Sequence, residues 1–173
     1  MITLDLKDFL NILRMSLDLL YKNDYYLIEH SIHEQDISHR IAHYMENLLN
    51  NYEWYKKIPL NIDVEYNKNF DDSKKVFNNC FNCSEKKCYI KKEHYHISNY
   101  ESDCKPDIIV HERESKNNIV VIEVKKNKKQ CSEDFAKLSA FTCYNSDYKY
   151  GIGIYINIAD IPSYILFKNG QKE

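Results

Sequence analysis

Asp107 follows Pro106, and after a gap of fifteen residues Glu123-Val124-Lys125 closes the otherwise apolar run that begins at Ile119. In an extended strand side chains alternate between faces, so Glu123 and Lys125 project together while Val120, Ile122 and Val124 take the other side. A carboxylate or an ammonium on so apolar a strand is costly to bury unless it is paired or bound to a metal. The run Asp107 to His111 predicts the partner strand, with the polar stretch Glu114 to Asn118 as the turn between them. Pairing around that turn sets Asp107 at the same edge of the hairpin as Glu123 and Lys125. Two carboxylates converging there repel unless a divalent cation holds them, and hard oxygen donors favour Mg²⁺ or Mn²⁺.

The elements that must position this edge follow from periodicity. Leu6, Phe9, Leu13, Leu17 and Leu20 recur at helical spacing and predict an amphipathic helix over residues 3–21, capped by Thr3. A second helix over 31–52 carries the stripe Ile37, Ile41, Tyr44 and Leu48. Extended back three residues, that stripe lands on Glu34, which aims a carboxylate at the sheet and the metal site. The same residue closes the S-x-x-E capping box Ser31 to Glu34, and the two roles compete for it. Leu60 to Tyr66 alternates with period two and reads as a strand with Leu60, Ile62 and Val64 inward. Residues 132–145 predict a short helix presenting Phe135, Leu138 and Phe141, followed by strands at 150–158 and 163–167. Lys137 on that helix has reach toward a phosphate, though a helical lysine defaults to exposure. The fold class is α/β in the sense of an α+β mixed sheet, in the order ααβ, insertion, ββαββ, forming one domain over residues 1–173.

Pro106-Asp107, the fifteen-residue gap and Glu123-Val124-Lys125 resemble the PD-(D/E)XK motif of restriction enzymes and Holliday-junction resolvases. The order helix, strand, hairpin, helix, strand resembles that superfamily's restriction-endonuclease-like core. The segments Val64 to Asn67, Lys105 to His111 and Val121 to Lys126 look like an uncharacterised prokaryotic branch of it, and the resemblance spans residues 31–158. It implies a Mg²⁺-dependent nuclease acting on nucleic acid, DNA in the first instance. Asp107 and Glu123 would bind the metal with the Val124 carbonyl, and Lys125 would orient the attacking water or stabilise the developing phosphorane charge. Related nucleases also place a metal-site carboxylate on the first core helix, where Glu34 stands. The alternative is a non-catalytic nucleic-acid- or protein-binding module on the same fold.

Between the first strand and the hairpin, residues 67–104 lose all periodicity and gather Asn, Lys and Cys. Cys80, Cys83, Cys88 and Cys104 fall there as C-x₂-C-x₄-C-x₁₅-C. In a reduced cytosol such a set suits tetrahedral Zn²⁺ better than disulfides, with His94 or His96 able to replace one thiolate. An iron–sulfur cluster, found in some nucleases of the superfamily, and free thiols are the other readings. Cys131 and Cys143 read as buried fillers.

Composition removes other classes. With three glycines in 173 residues, at 151, 153 and 170, the chain has no Gly-rich loop to cradle a phosphate. Net charge is −2, so the basic clusters Lys86/Lys87/Lys91/Lys92 and Lys125/Lys126/Lys128/Lys129 are local features and default to solvated surface. No apolar run is long enough to span a bilayer, and the N-terminus carries acids where a secretion signal carries bases, so a cytoplasmic protein without a membrane partner is expected. His33-Glu34 starts like HExxH but meets Ile37 where the second histidine belongs. His39 and His43 lie off the buried stripe, and His111 reads as a hydrogen-bonded structural residue. A homodimer is expected if both strands of a duplex are cut by one site per chain.

Overall fold

The computed structural model describes residues 6–30, 32–66, 105–128, 130–144 and 146–173, with the backbone of four short strands between residues 68 and 103. It is a mixed α+β arrangement. Helix α1 (Leu6–Asn23) buries Phe9, Ile12, Leu13, Ser16, Leu17 and Leu20, the spacing of one helical face, with Asp8 in its first turn and Lys22 in its last to suit the macrodipole. A five-residue helix α2 (Tyr25–Glu29), too short to show a period, links it to α3 (Glu34–Leu49). Helix α3 is shorter at both ends than the expected 31–52, and it buries Met45 and Leu49 together with Ile37, Ile41 and Tyr44. Thr3 and Ser31 lie outside the described residues.

The six-stranded sheet places β1 (Leu60–Val64), β6 (Ile108–Glu112), β7 (Asn118–Lys126), β8 (Ile152–Ile158), β9 (Ser163–Lys168) and β10 (Gln171–Lys172) in that order. Every neighbouring pair is antiparallel except β7 and β8, which run parallel and are joined by helix α4 (Ser132–Thr142). Such a crossover is what a parallel pair requires. In the insertion, β2 (Lys68–Asn69) pairs with β3 (Asp72–Ser73), and β4 (Lys75–Phe77) pairs with β5 (Glu101–Asp103). The sequence shows no sign of these pieces, because two or three residues cannot display an alternation. Cys80, Cys83, Cys88 and Cys104, with His94 and His96, lie outside the described residues.

Alternation along the central strands divides the core into two layers. Val120, Ile122 and Val124 of β7 join Ile108, Val110, Ile152, Ile154 and Ile156 under α1 and α3. Val121, Ile109 and Tyr155 face the other way, against Leu138, Ala140 and Phe141 of α4. Helix α4 sits close to the sheet at Gly153, where a Cβ would stand 3.1 Å from Thr142 Cγ2 and 3.2 Å from Leu138 Cδ2. Among the described residues no helix is long and apolar enough to cross a membrane.

Candidate active site

The α4 face of β7 changes character at its C-terminal end. Val121 is apolar and buried, but Glu123 and Lys125 follow it on the same side, and parallel register sets Tyr155 and Asn157 of β8 beside them. Residues past the carboxyl ends of parallel strands are where open sheets place their ligands. Asp107 reaches this end from the hairpin partner: Ile108 pairs with Ile122, and the Asp107 Oδ2 accepts the Val124 N–H at 2.7 Å. Since the N–H and C=O of one strand residue point to the same neighbour, the Val124 carbonyl also faces the Asp107 side, beyond the end of β6.

Glu34 arrives from the start of α3. It is the first helical residue, with His33 at the N-cap position, so it does not stand at the third helical position from which a capping-box carboxylate reaches back. Its Oε2 instead accepts from Lys125 Nζ at 2.9 Å and its Oε1 from the Lys126 N–H at 3.0 Å. Asp107, Glu123, Lys125 and Glu34 are therefore gathered at one end of the sheet.

Two further residues complete the site, and one of them the sequence left unremarked. Asp134, in the first turn of α4, is 2% exposed and accepts from Lys137 Nζ at 3.0 Å, with Lys125 Nζ 3.8 Å from its other oxygen. Lys137 corrects its expectation. It is not an exposed helical lysine but half-buried, with its Nζ also 3.5 Å from Glu123 Oε2. The missed signal was the stripe of α4: stepping back from Phe141 and Leu138 at helical spacing lands on Asp134, as the stripe of α3 lands on Glu34.

Burial dominates the electrostatics. It pushes the Asp107 carboxyl up to about 6, opposed by the Val124 N–H and the charges of Lys125 and Lys137. Glu123, 1% exposed, is held well above the usual carboxylate range by burial and then by the charge of Asp107. Burial alone would lower Lys125, but the Glu34 hydrogen bond and the fields of Asp134 and Asp107 outweigh it and hold it above the ordinary lysine value. Lys125 is thus a fixed positive charge and not a base. Two oxygens, Glu123 Oε1 and Asp134 Oδ2, are buried without a hydrogen-bond partner.

Among the described residues no three His, Cys, Asp or Glu side chains form a group that could hold a metal ion by themselves. The donors that fit a hard cation are two carboxylates, Asp107 and Glu123, with the Val124 carbonyl as a third oxygen, and the unpartnered Glu123 Oε1 has acceptor capacity to spare. When all are ionised, four carboxylates here face two ammonium groups, a balance that a divalent cation would restore.

The remaining candidates lie elsewhere. His111 is 4% exposed, with its Nε2 2.8 Å from Asp63 Oδ2, and Arg113 bonds the same carboxylate, a structural role. His39 and His43 are exposed. Cys143 is buried, but Cys131 is only half-buried at the N-cap of α4, its thiol pKa raised by burial and by its hydrogen bond to Asp134. No family model, curated protein or solved structure matches the chain.

Proposed function

We propose that the chain is a divalent-metal-dependent nuclease with a restriction-endonuclease-like core, hydrolysing phosphodiester bonds of nucleic acid and acting on DNA. The observation that carries this reading is the meeting of Asp107, Glu123 and Lys125 at the open end of the β6–β7 hairpin, where Asp107 is tied to Val124 at 2.7 Å and Glu123 Oε1 has no partner. The helix, strand, hairpin, helix, strand order and the single parallel pair bridged by α4 support the core assignment.

In this reading Asp107, Glu123 and the Val124 carbonyl hold Mg²⁺ or Mn²⁺. When bound, the cation supplies Lewis-acid charge and a water acidic enough to attack phosphorus near neutral pH. The chain's own part is positional. Lys125, kept protonated and fixed by Glu34, offers its ammonium to a phosphoryl oxygen as negative charge develops there. Asp107 fixes its carboxyl orientation through the Val124 N–H, so the site loses little to reorganisation.

A non-catalytic binding module on the same fold is the second reading. It is favoured by the closure of the site on itself, with Lys125 held by Glu34 and Lys137 by Asp134. Incubating plasmid and single-stranded DNA with the protein and Mg²⁺ or Mn²⁺ separates the two. Metal-dependent cleavage lost in Glu123→Gln supports the nuclease, and binding without cleavage under either metal supports the module.

A further inference from the structure

We propose that Lys137 is the resident counter-ion of the buried acids Glu123 and Asp134, and that a divalent cation enters by displacing its ammonium from Glu123 while Asp134 retains it. The inference rests on the metal-dependent reading above and deepens it by assigning how the site exchanges charge.

Three observations carry it. Glu123 is 1% exposed, and its ion pair among the described residues is with Lys137. In its ionised form a carboxylate so removed from water needs a positive partner when no metal is bound. The ion pairs that Lys137 makes with these two acids are also unequal. Its Nζ is 3.0 Å from Asp134 Oδ1 but 3.5 Å from Glu123 Oε2, well beyond the ~2.7–2.9 Å of a strong charge-assisted bond. The Glu123 contact is therefore the one that yields. Finally, Glu123 Oε1 and Asp134 Oδ2 are buried and have no hydrogen-bond partner, so the lysine leaves acceptor capacity that a small cation with several oxygen ligands would use.

Lys125 does not serve Glu123 in its place: Glu34 holds its ammonium at 2.9 Å, and its contact with Asp134 is a longer 3.8 Å. Lys137 is better placed to move: it sits one turn after Asp134 on the same helix face, and its side chain is 32% exposed. Released from Glu123, it keeps Asp134 as a partner and brings a second ammonium to the rim of the site.

The test uses the full chain and Mn²⁺ itself, with free Mn²⁺ followed by electron paramagnetic resonance. Lys137→Met is expected to bind Mn²⁺ about tenfold or more tightly than the wild type, the effect of removing a competing ion pair. Lys125→Met, which leaves the competitor in place, is expected to tighten binding less. In the wild type, Mg²⁺ is expected to speed reductive methylation of Lys137, read as its own ¹³C-methyl signal, which needs no variant to fold. Mn²⁺ binding that Lys137→Met leaves unchanged, or that Lys125→Met tightens as much, overturns the counter-ion role alone, as does Lys137 methylation indifferent to Mg²⁺. Absence of Mn²⁺ binding in both wild type and Lys137→Met overturns the metal-dependent reading as well.

Discussion

Glu34 holds the Lys125 ammonium at 2.9 Å across 91 positions of sequence, and its second oxygen takes the backbone N–H of Lys126 at 3.0 Å. One carboxylate thus fixes both the side chain and the chain direction at the end of β7. Replacing Glu34 by Gln keeps the length and one hydrogen bond but removes the charge that holds Lys125. Both groups are partly solvated, so the expected loss in stability is small, about 1 kcal/mol by thermal melting. The expected loss in metal-dependent cleavage is larger, about ten- to a hundredfold, because a lysine free to move no longer meets the phosphate in one geometry. An equal, small effect on both would reduce Glu34 to an ordinary surface pair.

Glu123 separates stability from function. Its carboxyl is buried beside Asp107, its pairing with Lys137 is a loose 3.5 Å and its Oε1 has no hydrogen-bond partner, so once ionised it bears a repulsion that Lys137 only partly offsets and that Gln would relieve. Glu123→Gln is expected to raise the melting temperature of metal-free protein by a few degrees and to abolish both Mn²⁺ binding and cleavage. Asp107→Asn is expected to abolish cleavage with less gain in stability, since Asn accepts the Val124 N–H less strongly than a carboxylate does. A Glu123→Gln protein that melts lower and still cleaves would remove this residue from the site.

The hairpin and Glu34 were legible because each obeyed one period at a time. Asp107, Glu123 and Lys125 stood out against strands whose other residues are apolar, and Glu34 ended a helical stripe. Asp134 was hidden by its company: in Ser132-Glu133-Asp134 an acid opening a helix looks like a favourable dipole partner and nothing more. Its burial depends on α4 crossing over the polar end of β7, and its local trace is the helical stripe that runs back from Phe141 through Leu138. The burial of Lys137 is equally hard to see in the sequence, because the acids that draw it inward are Glu123 on another element and Asp134, itself disguised as a dipole partner. Helix α2 and the β4–β5 pairing escaped because five and three residues are too few to establish a period.

The acid pair also sets a pH dependence. Asp107 is raised to about 6 and Glu123 well above the usual range, so between their unfolded and folded values the native state binds more protons than the unfolded chain. Stability of metal-free protein therefore falls as pH rises through about 4 to 6, and further as Glu123 ionises, the sign opposite to that of a salt-bridged acid. Lys125, Lys137 and the Val124 N–H limit the shift, Asp134 adds to it, and the two carboxyls titrate as a pair. The expected loss attributable to Asp107 is of order 1–3 kcal/mol across that window, after allowing for its partial exposure. Chemical denaturation between pH 4 and 8 with a chelator present measures it, and adding Mg²⁺ at pH 8 should restore most of it. Stability rising steadily over the same window would contradict the pair.

The cysteine set predicts bound metal independently of the hydrolytic site. Protein purified anaerobically is expected to contain about one zinc per chain by elemental analysis, released by chelator, with Cys83→Ser losing it. Iron with sulfide and a visible absorbance would instead indicate the cluster that the same thiolates support. Neither metal at a stoichiometric level would leave Cys80, Cys83, Cys88 and Cys104 as plain thiols.

Gly153 controls the seat of α4 and through it Asp134 and Lys137. A methyl group there would meet Thr142 Cγ2 at 3.1 Å, Leu138 Cδ2 at 3.2 Å and Phe167 Cβ at 3.2 Å, closer than side chains normally approach. Two of those atoms belong to α4, so the helix must lift or its side chains must leave their rotamers. Gly153→Ala is expected to cost about 1–3 kcal/mol in stability, which overpacking commonly costs, and chemical denaturation measures it. Because α4 carries two charged residues of the site, the damage should also reach the metal. Mn²⁺ affinity is expected to change in Gly153→Ala. It is expected to hold in Ile152→Val, which perturbs the core of β8 by trimming it on the face turned toward α1 and α3. An equal loss of stability from both, with Mn²⁺ affinity untouched by either, would mean that α4 supports the sheet without tuning the acids beneath it.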